Sequence, residues 1–455
     1  MPPVKKASGK LCRDDRVTVG RGCRKDVPRA AHAEWKPPKN RRDPISILAE
    51  SNKGRLQNLI PIRYGRMAKS PFTFLRGSAA VMASDLANTP TTGIEAQLCG
   101  DCHLSNFGLF ATPERHLVFD VNDFDETHPG PWEWDLKRLA TSFVVAARDN
   151  KFSEAEARNL ALQVAHAYRE HVRECAAMAP MDVWYQRMEW QTVIDELQSP
   201  KDRKLAEAIA AAARKHVIEH LYPKIARSEG GHTKLVDQPP MLYHVDVDDM
   251  GQRVREALAQ YRQTLPDDRR VLFDRYHLVD FAVKVVGIGS VGTRCYILLM
   301  MSVDNDPLIL QVKQARRSVI EPYTRKSRYE NQGERVVVGQ RLMQSSSDIF
   351  LGWMHTRRGR DYYVRQLRDM KFSAPLDRGT PPLFRHYANL CGWTLARAHA
   401  RSGDAAAISG YLGKSERFDE AIAKFAAAYA DQTERDHAEL VKAIRSGRLE
   451  SLSEE

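Results

Sequence analysis

The sequence predicts an α+β protein in two lobes, a larger helical lobe and a small antiparallel β lobe. Three observations lead there. Residues 132–225 and 383–446 repeat apolar residues at helical spacing, as in SEAEARNLALQVAHAYREHVRECA. Residues 281–315 change texture: FAVKVVGIGSVGTRCYILLMM and PLILQVKQA are apolar and β-branched, with the turn DND at 304–306 between them. Within the helical part, residues 94–123 form a strand–loop–strand unit dense in carboxylates.

Taken in order, residues 1–43 hold 13 Lys/Arg against 5 Asp/Glu, a net of +8 in a chain whose net charge is +11. They are rich in Pro and Gly and have no apolar period, so they read as a basic disordered arm. Such an arm suits an acidic partner, nucleic acid or anionic lipid. No nucleic-acid recognition motif occurs elsewhere. Apolar residues make up 43% of 455, enough for a large core. No run approaches the ~18–20 apolar residues of a transmembrane segment. The N-terminus lacks an apolar signal region, which makes the cytoplasm the expected compartment. Seven scattered cysteines, an odd number, do not suggest a disulfide framework.

Residues 44–277 read as the helical lobe. It has a helix over 45–60 broken near Gly54, a buried helix over 71–87, and strands at IEAQLCG (94–100) and HLVFDVND (116–123). Helices follow through 225, then an irregular connector to 250 and a helix over 251–263. The β lobe spans 278–370, with the glycine run GIGSVG at 287–292, a helix near 330–345 and the strand YYVRQL at 362–367. Helices in 371–455 complete the larger lobe.

The chemistry concentrates at 99–126, CGDCHLSNFGLFATPERHLVFDVNDFDE. Asp101 and Asn106 sit in one loop and Asp123 at the end of the next strand. Phosphoryl transfer needs a carboxylate to orient and deprotonate a hydroxyl, and further oxygens to hold Mg²⁺ on phosphates. Gly287, Gly289 and Gly292 would let a backbone approach those phosphates closely. Lys313 shares a strand face with Ile309 and Gln311, opposite Leu310 and Val312, and could reach them too; the alternative is a solvated edge-strand lysine. Cys99, Cys102 and His103 also spell a C-x-x-C-H haem-attachment or redox pattern, though no export signal accompanies it.

Asp101-x-His103-x-x-Asn106 resembles the catalytic loop of the aminoglycoside and choline kinase-like group in the protein-kinase-like superfamily. NDFDE resembles that group's metal-binding motif, with the metal carboxylate at Asp123. WEWDLKRLA resembles its downstream helix start, which gives Asp135 the role of supporting the loop. Cys99 stands where the group usually has His. From about residue 43 onward the chain also resembles bacterial domain-of-unknown-function family 2252. The stretches that carry this are SPFTFLRGSAAVMASDLA, CGDCHLSNFGLF, NDFDETHPGPWEWDLKRLA, EPYTRKSRYENQGERVVVGQRLMQSSSDIFLGW and YYVRQLRDMK.

The resemblance implies ATP and Mg²⁺ as cofactors. It places Asp101 and His103 in the catalytic loop, Asn106 and Asp123 on the metal, and the three glycines with Lys313 on the nucleotide. A helix glutamate, Glu330 or Glu334, would hold Lys313. In ordinary kinases the glycine loop and lysine precede the catalytic loop; here they follow it. The expectation is therefore a circularly permuted, two-lobed protein-kinase-like fold. Its acceptor is an unspecified hydroxyl; a nucleotide-binding pseudokinase scaffold and nucleotidyl transfer are the alternatives. The permutation requires Lys313 and Asp123 to face one cleft, and the helix ending near His399 to lie beside the strand entering Gly100. It leaves residues 45–90 as an added layer on the larger lobe.

Overall fold

The structure, a computed structural model, describes residues 11–229, 232–245, 250–367, 370–372 and 379–452. The protein is α+β and 53% helical. The helix Glu133–Asp149 runs through the larger lobe and is buried along almost its whole length. Glu154–Ala177 begins at a capping box in which Ser153 and Glu156 satisfy each other's backbone N–H groups. It packs on Pro381–Ser402, while Arg417–Arg445 lies across both earlier helices. Trp132 stacks on Tyr168 at 5.5 Å in the centre of this core.

The small lobe is a six-stranded antiparallel sheet. Its strands are β7 (Leu242–Tyr243), β8 (Tyr276–Lys284), β9 (Cys295–Ser302), β10 (Pro307–Ala315), β11 (Gly352–Thr356) and β12 (Arg360–Gln366), in the order β11-β12-β10-β9-β8-β7. Strand alternation separates its faces. Leu310, Val312 and Val364 join a core with Tyr261 from the helix Met250–Gln263. Ile309, Ile297 and Leu299 pack instead with Leu221 and Ile225. The lobe thus recruits chain from about residue 218, earlier than the boundary at 278 read from the sequence. A helical period reveals an apolar face but not which sheet covers it.

Four short strands frame the loop region: β1 (Glu95–Leu98), β2 (Phe107–Ala111), β3 (Leu117–Val121) and β4 (His128–Pro131). The two strands read at 94–100 and 116–123 do not pair with each other. β3 pairs with β2 and β1 with β4. Phe107–Ala111 is buried almost throughout, so it lacks the alternation that marks a half-exposed strand. A small hairpin, β5 (Ala226–Glu229) with β6 (His232–Leu235), lies in the connector read as irregular.

The basic arm is ordered from residue 11, against expectation; residues 1–10 lie outside the described residues. The helix Arg13–Gly22 packs on Ala405–Leu412. Arg24 and Arg29 donate to the carbonyls of Gly410, Tyr411 and Leu412, capping that helix's C-terminus. Trp35 inserts edge-on against Tyr429 at 5.0 Å. Arg41 pairs with both Asp85 and Asp436. Composition showed the charge but not that it is matched within the chain.

Residues 45–90 also do more than thicken the larger lobe. The helices Pro44–Ser51, Ile60–Ala68 and Pro71–Gly77 pack through Leu48, Met67 and Phe74 on Leu440. The turn between the first two reaches the β lobe: Leu56 N–H donates to Gly292 O at 2.7 Å, and Arg316 donates to the carbonyls of Ser51 and Lys53. Among the described residues no helix is long and apolar enough to cross a membrane.

Candidate active site

The loop Gly100–Asn106 is held from below by the first turn of the Glu133–Asp149 helix. Asp135 accepts from the N–H groups of Cys99 at 2.7 Å and Gly100 at 3.0 Å. Gly100 sits at φ +82, and a Cβ there would meet Glu126 O at 2.2 Å, so only glycine makes this turn. Asn106 Nδ2 donates to Asp101 O at 2.6 Å, which leaves its side-chain oxygen for another partner. One helical turn beyond Asp135, Arg138 donates through Nε at 2.8 Å and through Nη2 to Asp101 Oδ1. Burial pushes the Asp101 carboxyl up; Arg138 opposes this, and the nearby Asp123 reinforces it. His103 is buried, with Nε2 3.9 Å from Asp101 Oδ2 and Nδ1 unpartnered. Burial first, then Arg76 and Arg138, holds its pKa well below the ordinary value, which favours the neutral ring.

Lys313 enters from the opposite lobe. It lies on a central strand and is 3% exposed, not a solvated edge lysine. Its Nζ is 3.7 Å from Asp123 Oδ2 and closer to Asp125 Oδ2. Tyr363 OH and Ser290 Oγ donate to Asp125 at 2.7 and 3.1 Å. Burial opposes the charged form of Asp123. Lys313 overcomes it, aided by Arg365 and Lys371, and holds the carboxyl below the usual range. Lys313 is likewise raised by Asp123 and Asp125 against its own burial.

The glycine hairpin lies over these groups. An ideal Cβ on Gly289 would stand 4.0 Å from Asp101 Oδ2, and Gly287 and Gly289 line the cavity together with Asp101, Asn106 and Asp123. That cavity holds about 150 Å³. Gly292 does not line it; it packs against Arg55 and Leu56. A larger cavity of about 360 Å³ lies on the far face of the sheet, beside Tyr296 and Tyr362, away from every group named above.

Neither candidate glutamate holds Lys313. Glu330 is exposed just before the helix Gln332–Met343, and Glu334 lies in its first turn without an ion pair to the lysine. The same helix sends Arg335 to the carbonyls of Asp125 and Thr127. It therefore braces the acidic loop through its backbone, and the acidic loop itself neutralises Lys313.

At the back of the site, Gln97 N–H donates to Ser402 Oγ at 3.3 Å, and Gly403 packs on Glu95 and Ala96. The helix Pro381–Ser402 thus ends beside β1, the strand that enters Gly100. Cys99, Cys102 and Asp135 are buried with their ligand atoms within 4.8 Å of one another. Both Asp135 oxygens are already engaged by backbone N–H groups. Burial pushes the Cys102 thiol up to about 11 and Cys99 well up, so both are protonated and unreactive at neutral pH.

Sequence reasoning missed Arg138, Asp125, Tyr363, Arg365 and Lys371. Two signals pointed at some of them. Asp135 and Arg138 are i, i+3 on one helix, hence on one face. Tyr363 and Arg365 alternate on β12, in register with Lys313 and Gln311 of β10.

The sequence model of a family described as "uncharacterized protein conserved in bacteria" (DUF2252) matches residues 55–443. The chain belongs to that family. Comparison with curated proteins gave no match, and comparison with solved structures gave none. The match to DUF2252 takes in every site residue named above, from Arg138 and Asp101 to Lys371, and leaves the Arg13–Gly22 helix outside.

Proposed function

We propose that this protein is an ATP- and Mg²⁺-dependent phosphotransferase built on a circularly permuted kinase-like fold. The observation that carries it is the meeting of Lys313 with Asp123 and Asp125 beneath a glycine hairpin, facing Asp101 and Asn106. The carboxylates of the first half of the chain and the glycine hairpin of the second line one cavity, and Lys313 stands buried behind it in contact with Asp123 and Asp125. The end of the Pro381–Ser402 helix beside β1 supports the permutation.

In this reading Asp101 orients and deprotonates an acceptor hydroxyl through Oδ2, while Arg138 fixes Oδ1. Asn106 and Asp123, with Asp125 beside them, offer the hard oxygens that suit Mg²⁺. Bound there, Mg²⁺ would neutralise charge on the nucleotide phosphates. Lys313 and the backbone of Gly287 and Gly289 bind those phosphates. His103, neutral and buried, keeps the loop in place.

One observation favours a nucleotide-binding scaffold instead. Two donors of Arg138 already occupy Asp101 Oδ1, which weakens the carboxylate as a base. Calorimetry with ATP, with and without Mg²⁺, tests binding, and the expected result is binding that needs the metal. ATP labelled at the α or γ position then follows transfer across an acceptor panel. Label from γ appearing on the acceptor with ADP released supports the phosphotransferase, label from α appearing on the acceptor with pyrophosphate released identifies nucleotidyl transfer, and binding with neither selects the scaffold. Absence of any nucleotide binding would sink all three.

A further inference from the structure

The cavity has a second wall, and it is made of arginines. Arg55, Arg63, Arg76 and Arg316 line it opposite the carboxylates. Three of them come from segment 51–77, which touches the glycine hairpin through Leu56 and Arg66 but places no side chain among the proposed phosphate and metal ligands. Asp101 and Asp123, in contrast, each have a cation. Among the described residues none of these four arginines has a carboxylate partner. Arg55 donates to the carbonyls of Ser51 and Val291, Arg63 to Asn52 Oδ1 and Gly77 O, and Arg316 to Ser51 O and Lys53 O. Among the described residues Arg76 makes no hydrogen bond; it leans on the Phe72 ring at 6.0 Å and feels the charges of Asp101 and Asp123.

Buried guanidiniums held together without anions are costly. Arg63 is only 2% exposed, and its Nε, like that of Arg76, is a buried donor without a partner. Each such orphan calls for an explanation, and for two that belong to residues lining one cavity a ligand that completes the bonding is one. Burial lowers the pKa of all four; Arg63 and Arg316 lower Arg55 further and Arg316 lowers Arg63, while Asp101 and Asp123 raise Arg76 and Glu126 raises Arg55 and Arg316 without outweighing burial. An oxyanion placed between them would relieve that repulsion, with the planar donor geometry that suits carboxylate or phosphate.

We propose that this wall seats an oxyanion carried by the acceptor, so that the hydroxyl substrate is a phosphate- or carboxylate-bearing alcohol. The proposal rests on the phosphotransferase reading. A cationic acceptor is excluded by the same wall, because its charge would meet four guanidiniums beside Asp101.

The test uses the full-length protein, with inorganic phosphate and acetate as separate probes. Calorimetry measures each with and without saturating Mg²⁺ and a non-hydrolysable ATP analogue. The expected result is phosphate or acetate binding that survives in the presence of the analogue. The tighter probe assigns the class of anion. Arg76→Gln should weaken that probe by about tenfold or more, the scale of losing a charged hydrogen bond, and leave analogue affinity close to wild type. Arg76→Lys, checked by circular dichroism, serves if the glutamine variant does not fold; it should weaken the probe less. Displacement of the probe by the analogue would assign the wall to the nucleotide's own phosphates and overturn the proposal. Absence of probe binding, or no effect of either Arg76 variant, would overturn it as well. Probe binding in a protein that binds no nucleotide would remove the phosphotransferase reading and the assignment to an acceptor, leaving an anion site only.

Discussion

Two buried clusters of this protein bring a single cation to two aspartates, and they differ in how completely they close. At the back of the larger lobe, Arg41 donates to both oxygens of Asp85 at 2.9 and 2.8 Å and of Asp436 at 2.8 and 2.6 Å. Tyr429 and Gln432 add a bond to each carboxylate. The aspartates are 4% and 5% exposed. In the cleft, Lys313 meets Asp123 and Asp125, but these remain 33% and 25% exposed on a cavity. In the closed cluster four of the five Arg41 donors are used and each carboxylate accepts three hydrogen bonds, with almost no surface facing solvent, so it serves to hold helices together. The open one keeps oxygens directed at empty volume, at a cost in stability that a packed structure would avoid. That difference separates a clamp from a site.

The largest expected effect breaks the clamp. Arg41→Ala leaves Asp85 and Asp436 buried and unpaired, and should cost about 3–5 kcal/mol, the scale for removing one partner of a buried pair. Thermal or denaturant unfolding measures it, and the reduced midpoint should come without change in nucleotide binding. An unaltered midpoint would show that the segment around residue 41 is dispensable, as its composition alone suggests.

On the site side, Asp101→Asn should leave nucleotide binding and the unfolding midpoint near wild type, because the amide oxygen still accepts from Arg138. Transfer should fall by roughly 10²-fold or more, the contribution of a general base. A wild-type transfer rate would remove Asp101 from the chemistry. A smaller effect is expected for Asp123→Asn. Losing one anionic oxygen should weaken Mg²⁺-dependent nucleotide binding by about tenfold while Asp125 continues to neutralise Lys313. Calorimetry with unchanged metal dependence would place the metal elsewhere.

The comparison also explains what the sequence could show. Asp101, Asn106 and Asp123 were legible because a short loop fixes their spacing. The inward face of Lys313 was legible because strands alternate. The partner of Lys313 was not, because the choice between Glu330, Glu334 and the acidic loop depends on how the Gln332–Met343 helix rotates against the sheet. The order in residues 11–43 was hidden for a similar reason. Arg24, Arg29 and Arg41 answer carbonyls and carboxylates that lie hundreds of residues away, and no local period records such partners. The arginine wall was invisible because its members belong to segments that meet only in the folded chain.

The finest distinction between clamp and site is that an open cluster should feel the pH. Lys371 is part-buried beside Asn122, whose carbonyl lies 3.4 Å from its Nζ. Burial lowers its pKa to about 7, Arg365 adds to this, and Asp123 opposes it. Its ordinary value is near 10.4, so the fold favours the neutral form and the group titrates across the neutral range. Lys371 lines the small cavity beside Asn122 and Gln344 and acts on the cleft through Asp123; under the proposed function its charge below pH 7 would attract nucleotide phosphates, and above pH 7 that attraction would be lost. Nucleotide affinity should therefore fall a few-fold between pH 6 and pH 8, a change of about one charge interaction in a partly screened site. The phosphate of ATP titrates nearby as well and, by gaining charge, pushes affinity the other way. The informative quantity is thus the difference between wild type and Lys371→Met, measured with the same nucleotide. The variant should lose the part of the slope that falls with pH, because it has no proton to release, should keep the rise that the nucleotide's own titration gives, and should converge on the wild type at high pH. Parallel pH profiles for the two proteins would show that Lys371 does not face the nucleotide, and would restrict the cationic side of the cleft to Lys313 and Arg365.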